Sequence, residues 1–481
     1  MRKMVPFMVV SLIILIAGCT STNQDTRQTP RYVSLADSQV FALEAAPMRH
    51  EINGAQLDMY AYNGQIPGPT IKAARGSTIY INFTNKLGED TTIHWHGIRL
   101  DNMNDGTIDV QAPVKPGESF MYKIILPDYG VYWYHPHIRE DRQQELGLYG
   151  NIIVDGGFGP ADDELAIILD DIKVTNGKID SFYDFSRFSL MGRFGNHILA
   201  NGQTDFKTDV KRGLVRIYLT NAANARPFNF SIKGRELRIV GGDSGRYEKE
   251  FTADSVVISP GERYIAEVLF ENTGSFDMMN IHPGSMQSIG RINVVENDNQ
   301  IDAPPGSSFE DFERMKSYNS SPPDFEFVLT MQANGMGHEG HGTTMRSRPE
   351  SIEWEDDMGM MNSISTSKNT RWIIRDKSGR ENEEIVNKAG VGDVKKIRIF
   401  NDPGSMHPMQ HPMHLHGQRF IILSENNKTN DNFVWKDTVL VPTGATTDIL
   451  VNFTNPGKWM FHCHIAEHLE AGMTTTFEVS E

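Results

Sequence analysis

The sequence predicts an all-β protein built from three Greek-key β-sandwich domains, and three observations predict it. Short stretches of alternating aliphatic and polar residues are separated by closely spaced Gly, Pro, Asn and Ser turns, with 42 glycines and 23 prolines in 481 residues. Long helical periodicity is almost missing, and alternation with a period of two is the mark of a strand with one buried face. The same succession of strand and turn then recurs three times along the chain, as in β-sandwiches.

The repeats define the elements in order. The first copy runs Asn63-Gly64-Gln65-Ile66-Pro67-Gly68-Pro69, turns at Gly76-Ser77, and continues as Thr78-Ile79-Tyr80-Ile81-Asn82-Phe83-Thr84-Asn85. The second begins at Asn201-Gly202-Gln203 and reaches Val215-Arg216-Ile217-Tyr218-Leu219-Thr220-Asn221. The third carries Val394-Lys395-Lys396-Ile397-Arg398-Ile399-Phe400-Asn401, so each strand ends in Asn. A turn and a further strand follow in each: Pro116-Gly117-Glu118 before Tyr122, Pro260-Gly261-Glu262 before Ile265, and Thr443-Gly444-Ala445 before Asp448. A glycine-led aromatic strand completes each copy: Gly130-Val131-Tyr132-Trp133, Gly274-Ser275-Phe276 and Gly457-Lys458-Trp459-Met460-Phe461. These patterns place domains at 36–158, 160–296 and 324–481, with a Pro/Ser/Asn-rich linker at 297–323. The length prior also gives about three domains.

Composition bounds the function. Apolar residues make up 39% and charged residues 22%, and no apolar run after residue 20 approaches membrane-spanning length. The formal charge is −16, or −18 once Arg2 and Lys3 leave with an N-terminal signal, which opposes nucleic-acid binding. Residues 1–19 read as a lipoprotein-type signal peptide. Arg2 and Lys3 precede an apolar stretch from Met4 to Ala17, and Leu15-Ile16-Ala17-Gly18-Cys19 is similar to the lipobox of bacterial lipoproteins, whose cysteine is acylated. The alternatives are an uncleaved anchor or an ordinary signal with a chance Cys. The expectation is an exported protein at the cell envelope, on the periplasmic or outer face, touching membrane only through a lipid on Cys19. Cys463 is then the one thiol of the folded part, and an intrachain disulfide framework is excluded.

Chemistry concentrates in the histidines of copies one and three. His462-Cys463-His464 lies at the end of a strand, followed by His468 and Met473. On a strand His462 and His464 share one face and Cys463 takes the other. A thiolate with two imidazoles and a weak axial methionine is the donor set of a blue-copper site. His411 stands three residues before His414, an odd offset that puts it on the Cys463 face. His411, Cys463, His468 and Met473 therefore form one copper site. Four His-x-His pairs remain: His94/His96, His135/His137, His414/His416 and His462/His464. Their eight imidazoles predict a second cluster between the first and third domains. The middle copy has Phe228-Asn229-Phe230 and a solitary His282 at the matching places. One such pair could be core histidines; four pairs around an interposed cysteine could not. His50, His197 and His282 lack pairing and read as ordinary side chains.

These motifs resemble the three-domain multicopper oxidases of the laccase, ascorbate oxidase and cuprous oxidase group, and the likeness covers essentially the whole mature chain. The resemblance implies cupredoxin-like domains and four copper ions: one type 1, one type 2 and two type 3. It implies that His94 and His414 bind the type 2 copper, and that His96, His135, His137, His416, His462 and His464 bind the type 3 pair. It further implies that single electrons leave a donor at a type 1 site near the surface through His468 or His411, pass by Cys463 to His462 and His464, and reduce O2 to water. Asp105 stands where related oxidases carry an acid that helps deliver protons. Some bacterial relatives place Glu directly after the last type 1 histidine; here that position is Leu469, with Glu470 next.

The donor is read less directly. Met331, Met336, His338, His341, Met345, Met358, Met360 and Met361 crowd the segment 331–361, and Met406, Met409 and Met413 flank the third-domain motif. Thioethers suit Cu(I). Met336, His338 and His341 read as surface copper ligands, and Met406 and Met413 as core filler. Cu(I), Fe(II) and small phenols all remain compatible donors. A copper-nitrite reductase normally has two domains and no ligand histidine at the position of His464. A noncatalytic copper carrier needs only Cys463, His411, His468 and Met473.

Overall fold

The computed structural model describes residues 32–298, 312–333 and 352–481. Residues 1–31, including the signal and Cys19, lie outside them, as do Met336, His338, His341 and Met345. Strands dominate, and the only helices among the described residues are single turns of three to six residues. None is long and apolar enough to cross a membrane.

Three pairs of facing sheets follow one another along the chain. Within residues 32–155, one sheet orders Tyr32–Leu35, Thr70–Ala74, Gly150–Asp155, Gly130–His135 and His94–His96, and a four-stranded sheet faces it. The second and third pairs each combine a six-stranded with a five-stranded sheet. The five-stranded sheets share the order of four strands and differ in the edge that the fifth occupies. His94–His96, Phe228–Ile232 and His411–Leu415 lie beside Gly130–His135, Gly274–His282 and Gly457–Cys463 respectively.

Alternation fixes each sandwich. Along Thr78–Asn85 every second residue is buried, so Ile79, Ile81 and Phe83 enter the core with Leu43, Tyr122 and Tyr134. Comparable clusters gather Val215, Ile217 and Leu219 in the second pair and Ile397, Ile399 and Phe461 in the third. The repeated terminal Asn has a physical reason. The Asn85 amide donates to the Glu89 and Val114 carbonyls, Asn221 to those of Arg226 and Ile258, and Asn401 to those of Met409 and Val441. Each amide thereby satisfies the buried backbone of the connection that leads into the histidine-bearing strand or its counterpart.

Part of the stretch read as linker is folded onto the third pair of sheets. Phe312 is buried against Phe433 and Trp435, and a helical turn at Glu313–Lys316 follows it. Met331, the first methionine of the Met-rich segment, belongs to the strand Phe325–Ala333 and lies in the core. Met413 is buried as expected, whereas Met406 is 51% exposed and is not filler.

Candidate metal centre

Two groups of ligand-type side chains lie on opposite faces of the strand Gly457–Cys463. Cys463 pairs with Met413, and His462 with His414, across the antiparallel neighbour His411–Leu415. The two-residue period then puts His411 and Met413 on the face of Cys463, and His414 on that of His462.

On the first face, Cys463 Sγ lies 3.5 Å from His411 Nδ1 and 3.7 Å from His468 Nδ1, and the two nitrogens are 3.3 Å apart. The single-turn helix Ala466–Glu470 returns His468 to the sulfur, and the Ile465 N–H donates to that sulfur. Met473 is fully buried in the same core cluster. Its carbonyl accepts from the Cys463 N–H, and its N–H donates to the His468 carbonyl. Burial pushes the Cys463 thiol above its ordinary range and holds His411 down to about 3. A thiol so buried ionises only if a cation takes the proton's place.

On the second face, eight imidazoles converge from the two end sandwiches. His94 stacks on His416 at 3.8 Å between ring centres, and His96 on His414 at 3.7 Å. His416 Nε2 and His462 Nε2 approach to 2.9 Å, and His464 lies between His96 and His135. Burial, with neighbouring imidazoles second, lowers His96, His135, His416, His462 and His464 well below 6.5. They are therefore neutral, the form that binds metal.

Outer partners aim the rings. His94 Nδ1–H donates to the Asp105 carbonyl at 2.9 Å, His414 Nδ1–H to the Asp437 carbonyl at 2.9 Å, and His462 Nδ1–H to the Cys463 carbonyl at 2.9 Å. Asp105 is buried, and its Oδ2 lies 3.0 Å from His416 Nδ1. Asp101 caps the 3₁₀ turn Asn102–Asn104 that presents it, so Asp105 is more than a turn residue. With Nδ1 of both rings occupied, His94 Nε2 and His414 Nε2 have no hydrogen-bond partner among the described residues, and neither have His135 Nε2 and His137 Nε2. Orphaned buried imidazole nitrogens aimed at one space, with the others tied back, are the arrangement of metal ligands. Soft sulfur and imidazole donors suit copper better than magnesium or calcium. The residues on both faces fit copper, and groups drawn from each face place their donor atoms within 4.8 Å of one another.

Three residues of this site carried no sequence signal. Asp437 Oδ1 lies 2.9 Å from His96 Nε2, and its carboxylate receives both Arg263 Nη1 at 2.6 Å and Nη2 at 2.5 Å. Burial opposes charge on Asp437, but Arg263 outweighs it and holds the carboxyl well below its usual range. Arg263 also donates to the Val131 carbonyl, so this middle-repeat side chain ties the two ligand-bearing sandwiches together. The glycine of His94-Trp95-His96-Gly97 sits at φ +86°, where a Cβ would lie 2.4 Å from Asp437 Oδ2. The third residue, Glu140, has Oε1 3.3 Å from His135 Nδ1 and 3.8 Å from His464 Nε2. Burial, followed by the charge of Glu470, raises its pKa well above the ordinary value.

His50 and His282 behave as ordinary side chains. His50 bonds the Gly202 carbonyl, and His282 stacks on Trp354 beside Glu355. Contrary to the expectation of a type 1 histidine near the surface, His411 and His468 are 1% and 0% exposed, so neither reaches it. Trp372 lies flat on His468, with ring centres 4.1 Å apart.

Models of the multicopper oxidase family match residues 45–157, 176–299 and 354–481. The chain belongs to the multicopper oxidase family. It is 26% identical to the multicopper oxidase mco of Staphylococcus aureus over 87% of this chain and 83% of that one. It is 28% identical to the multicopper oxidase MmcO of Mycobacterium tuberculosis over 91% and 86%. Among solved structures, a multicopper oxidase of Pseudomonas thermotolerans superposes with a TM-score of 0.72 at 25% identity, covering 93% of this chain and all of that one. The laccase-like CueO of Ochrobactrum sp. superposes at 0.76 and 23% identity, covering 94% and 99%. As a multicopper oxidase, the protein is a copper-using oxidoreductase that takes electrons from a reducing substrate and passes them to O2.

Proposed function

We propose that this multicopper oxidase oxidises a small soft metal ion, Cu(I), one electron at a time and reduces O2 to water with four coppers. Four donors, four protons and one O2 give two waters, and the bound coppers supply the electron storage that this stoichiometry needs. The observation that carries the reading is the pair of ligand groups back to back on one strand. His411, Cys463, His468 and Met473 would hold the type 1 ion. His94 and His414 would hold the type 2 ion, and His96, His135, His137, His416, His462 and His464 the type 3 pair. Cys463 is bonded through the main chain to His462 and His464, so the shortest covalent path between the groups is intrinsic to the sequence. A carrier has no use for the second group, and a nitrite reductase has none for His464.

The donor reading rests on the surface beside His411. His407 is 7% exposed between the exposed Met406 and the buried Met409, and burial lowers it to about 4 despite nearby Asp356. Its charge would act on both His411 and His468, so it stands close to both. Met360 and Met361 are exposed on the helix Gly359–Ile364, which ends the Met-rich segment. Thioether and imidazole side chains are donors that suit a soft metal ion rather than a phenol. Export as a lipoprotein anchored through Cys19 is consistent with that role, because it places cuprous oxidation outside the cytoplasm.

Oxygen uptake measured with a one-electron donor tests the reaction. We expect about four donors consumed per O2 without peroxide, since four imidazole-bound ions can each deliver one electron. Two donors per O2 with peroxide released would reject it. Asp105→Asn is expected to slow turnover about tenfold or more, mostly toward higher pH, while all coppers stay bound. A carboxylate can relay a proton at His416 and an amide of the same shape cannot. Equal pH profiles for both proteins would leave Asp105 as a positioning group only.

A further inference from the structure

The edge of His468 facing away from Cys463 is covered by a strap from the middle repeat, residues 186–192, fastened to residues 362–367. Arg187 and Thr366 form an antiparallel bridge. The Phe188 N–H donates to the Ser365 carbonyl at 3.1 Å and the Ser367 N–H to the Ser186 carbonyl at 3.0 Å. The Leu190 N–H donates to Ser365 Oγ at 2.9 Å and the Met191 N–H to Asn362 Oδ1 at 3.1 Å. Asn362 returns an amide hydrogen to the Gly192 carbonyl at 2.9 Å, and the Arg187 guanidinium donates to the Ser363 carbonyl at 3.0 Å.

The strap also grips the site itself. The Trp372 indole that stacks on His468 donates its N–H to the Ser189 carbonyl at 2.7 Å, and the Leu190 backbone faces the His468 ring. Gly192 is packed so tightly that a Cβ would stand 2.7 Å from Ile465 Cγ2 and 2.5 Å from Ala225 Cβ. Behind it Arg193 is buried under Phe182 and Phe188, 3.8 Å from Glu467. No aromatic donor can lay its ring against His468 while this packing holds.

We propose that the strap is the donor-selecting element of the enzyme: it seals the His468 edge against phenols and so favours a metal ion as donor. The proposal rests on the cuprous-oxidase reading and locates its specificity. The fastening is concentrated in two side chains, Asn362 and Ser365, which between them hold Leu190, Met191 and Gly192. Removing both loosens the cover without touching a ligand.

The test compares the full-length protein with Asn362→Ala/Ser365→Ala and, as a milder variant, Arg187→Ala. In the metal-free protein, Cys463 is labelled with a small and a bulky thiol reagent, and its peptide is quantified by mass spectrometry so that Cys19 does not interfere. The expected result is labelling by the bulky reagent at least about tenfold faster in the double variant, with a smaller rise for Arg187→Ala. In the copper-loaded protein, kcat/KM for a bulky phenol is expected to rise about tenfold relative to that for chelated Cu(I), whose own rate stays near wild type. Wild-type labelling as fast as that of the variants, or an unchanged phenol-to-Cu(I) ratio, would overturn the seal. Failure of the wild type to oxidise any donor would reject the oxidase reading instead, and the labelling rates would still decide whether the strap closes the site.

Discussion

Cys463→Ser is expected to abolish the blue colour and reduce oxygen consumption about a thousandfold, equivalent to ~4 kcal/mol of barrier. Sulfur is the one soft anionic donor on its face of the strand, between His411 Nδ1 and His468 Nδ1. A serine oxygen is shorter and harder, and it gives no thiolate-to-copper charge transfer. The substitution leaves a buried hydroxyl beside two imidazoles, a cost of about 1–3 kcal/mol that a folded protein of this size survives. Copper content should drop by about one ion per chain while the eight-histidine face keeps its share. Visible absorption and metal analysis on one preparation read both effects. A variant that stays blue would refute the assignment of this face.

The metal-free protein is expected to be acid-labile. His96, His135, His411, His414, His416, His462, His464 and His468 all titrate below 6.5, chiefly because burial disfavours their charged form. His137 falls to about 3 for the same reason. Below pH 6.5 the unfolded chain binds protons that the folded chain refuses, so stability falls as pH falls toward those folded values. Each imidazole held neutral contributes up to about 1.4 kcal/mol per pH unit, and two or three exhaust much of a domain's stability within two units. The carboxyls that burial raises act oppositely: Glu467 and Glu470, both raised to about 7, and Glu140, Glu145, Asp170 and Asp171 in the same direction. Their contribution is complete below the ordinary carboxylate range and is lost as pH rises through their raised values, with or without copper, so the difference between the two forms isolates the imidazoles. Between pH 7 and 5 the metal-free Tm should therefore lose ground to the copper-loaded Tm by roughly 10 °C or more. Parallel Tm profiles of the two forms across this range would mean that the imidazoles are not packed as described.

Much of this architecture was readable from local pattern. Alternation along Thr78–Asn85 and its counterparts names the strands because one face is buried. The odd offset between His411 and His414 separates the two metal faces because side chains on a strand have a period of two. Pairings that cross between repeats carried no such mark. Arg263 reaches Asp437 across 174 positions, and His416 meets Asp105 across 311. A lone arginine or aspartate has no periodicity to betray its partner, so only assembly of the sandwiches brings Arg263 under Asp437 or Glu140 against His135. The burial of His468 was missed for the same reason. Its cover comes from residues 186–192, a loop of the middle repeat with no motif, and a sequence reading sees the ligand without the segment that folds over it.

Copper stoichiometry is the most direct test of the proposed division of twelve ligand side chains between the two sides of the strand Gly457–Cys463. Fully loaded protein should hold about four coppers per chain, one of them blue, and His94→Ala and His414→Ala should each keep the blue ion while losing oxygen reduction. One copper per chain, or loss of the blue ion with either histidine, would contradict it.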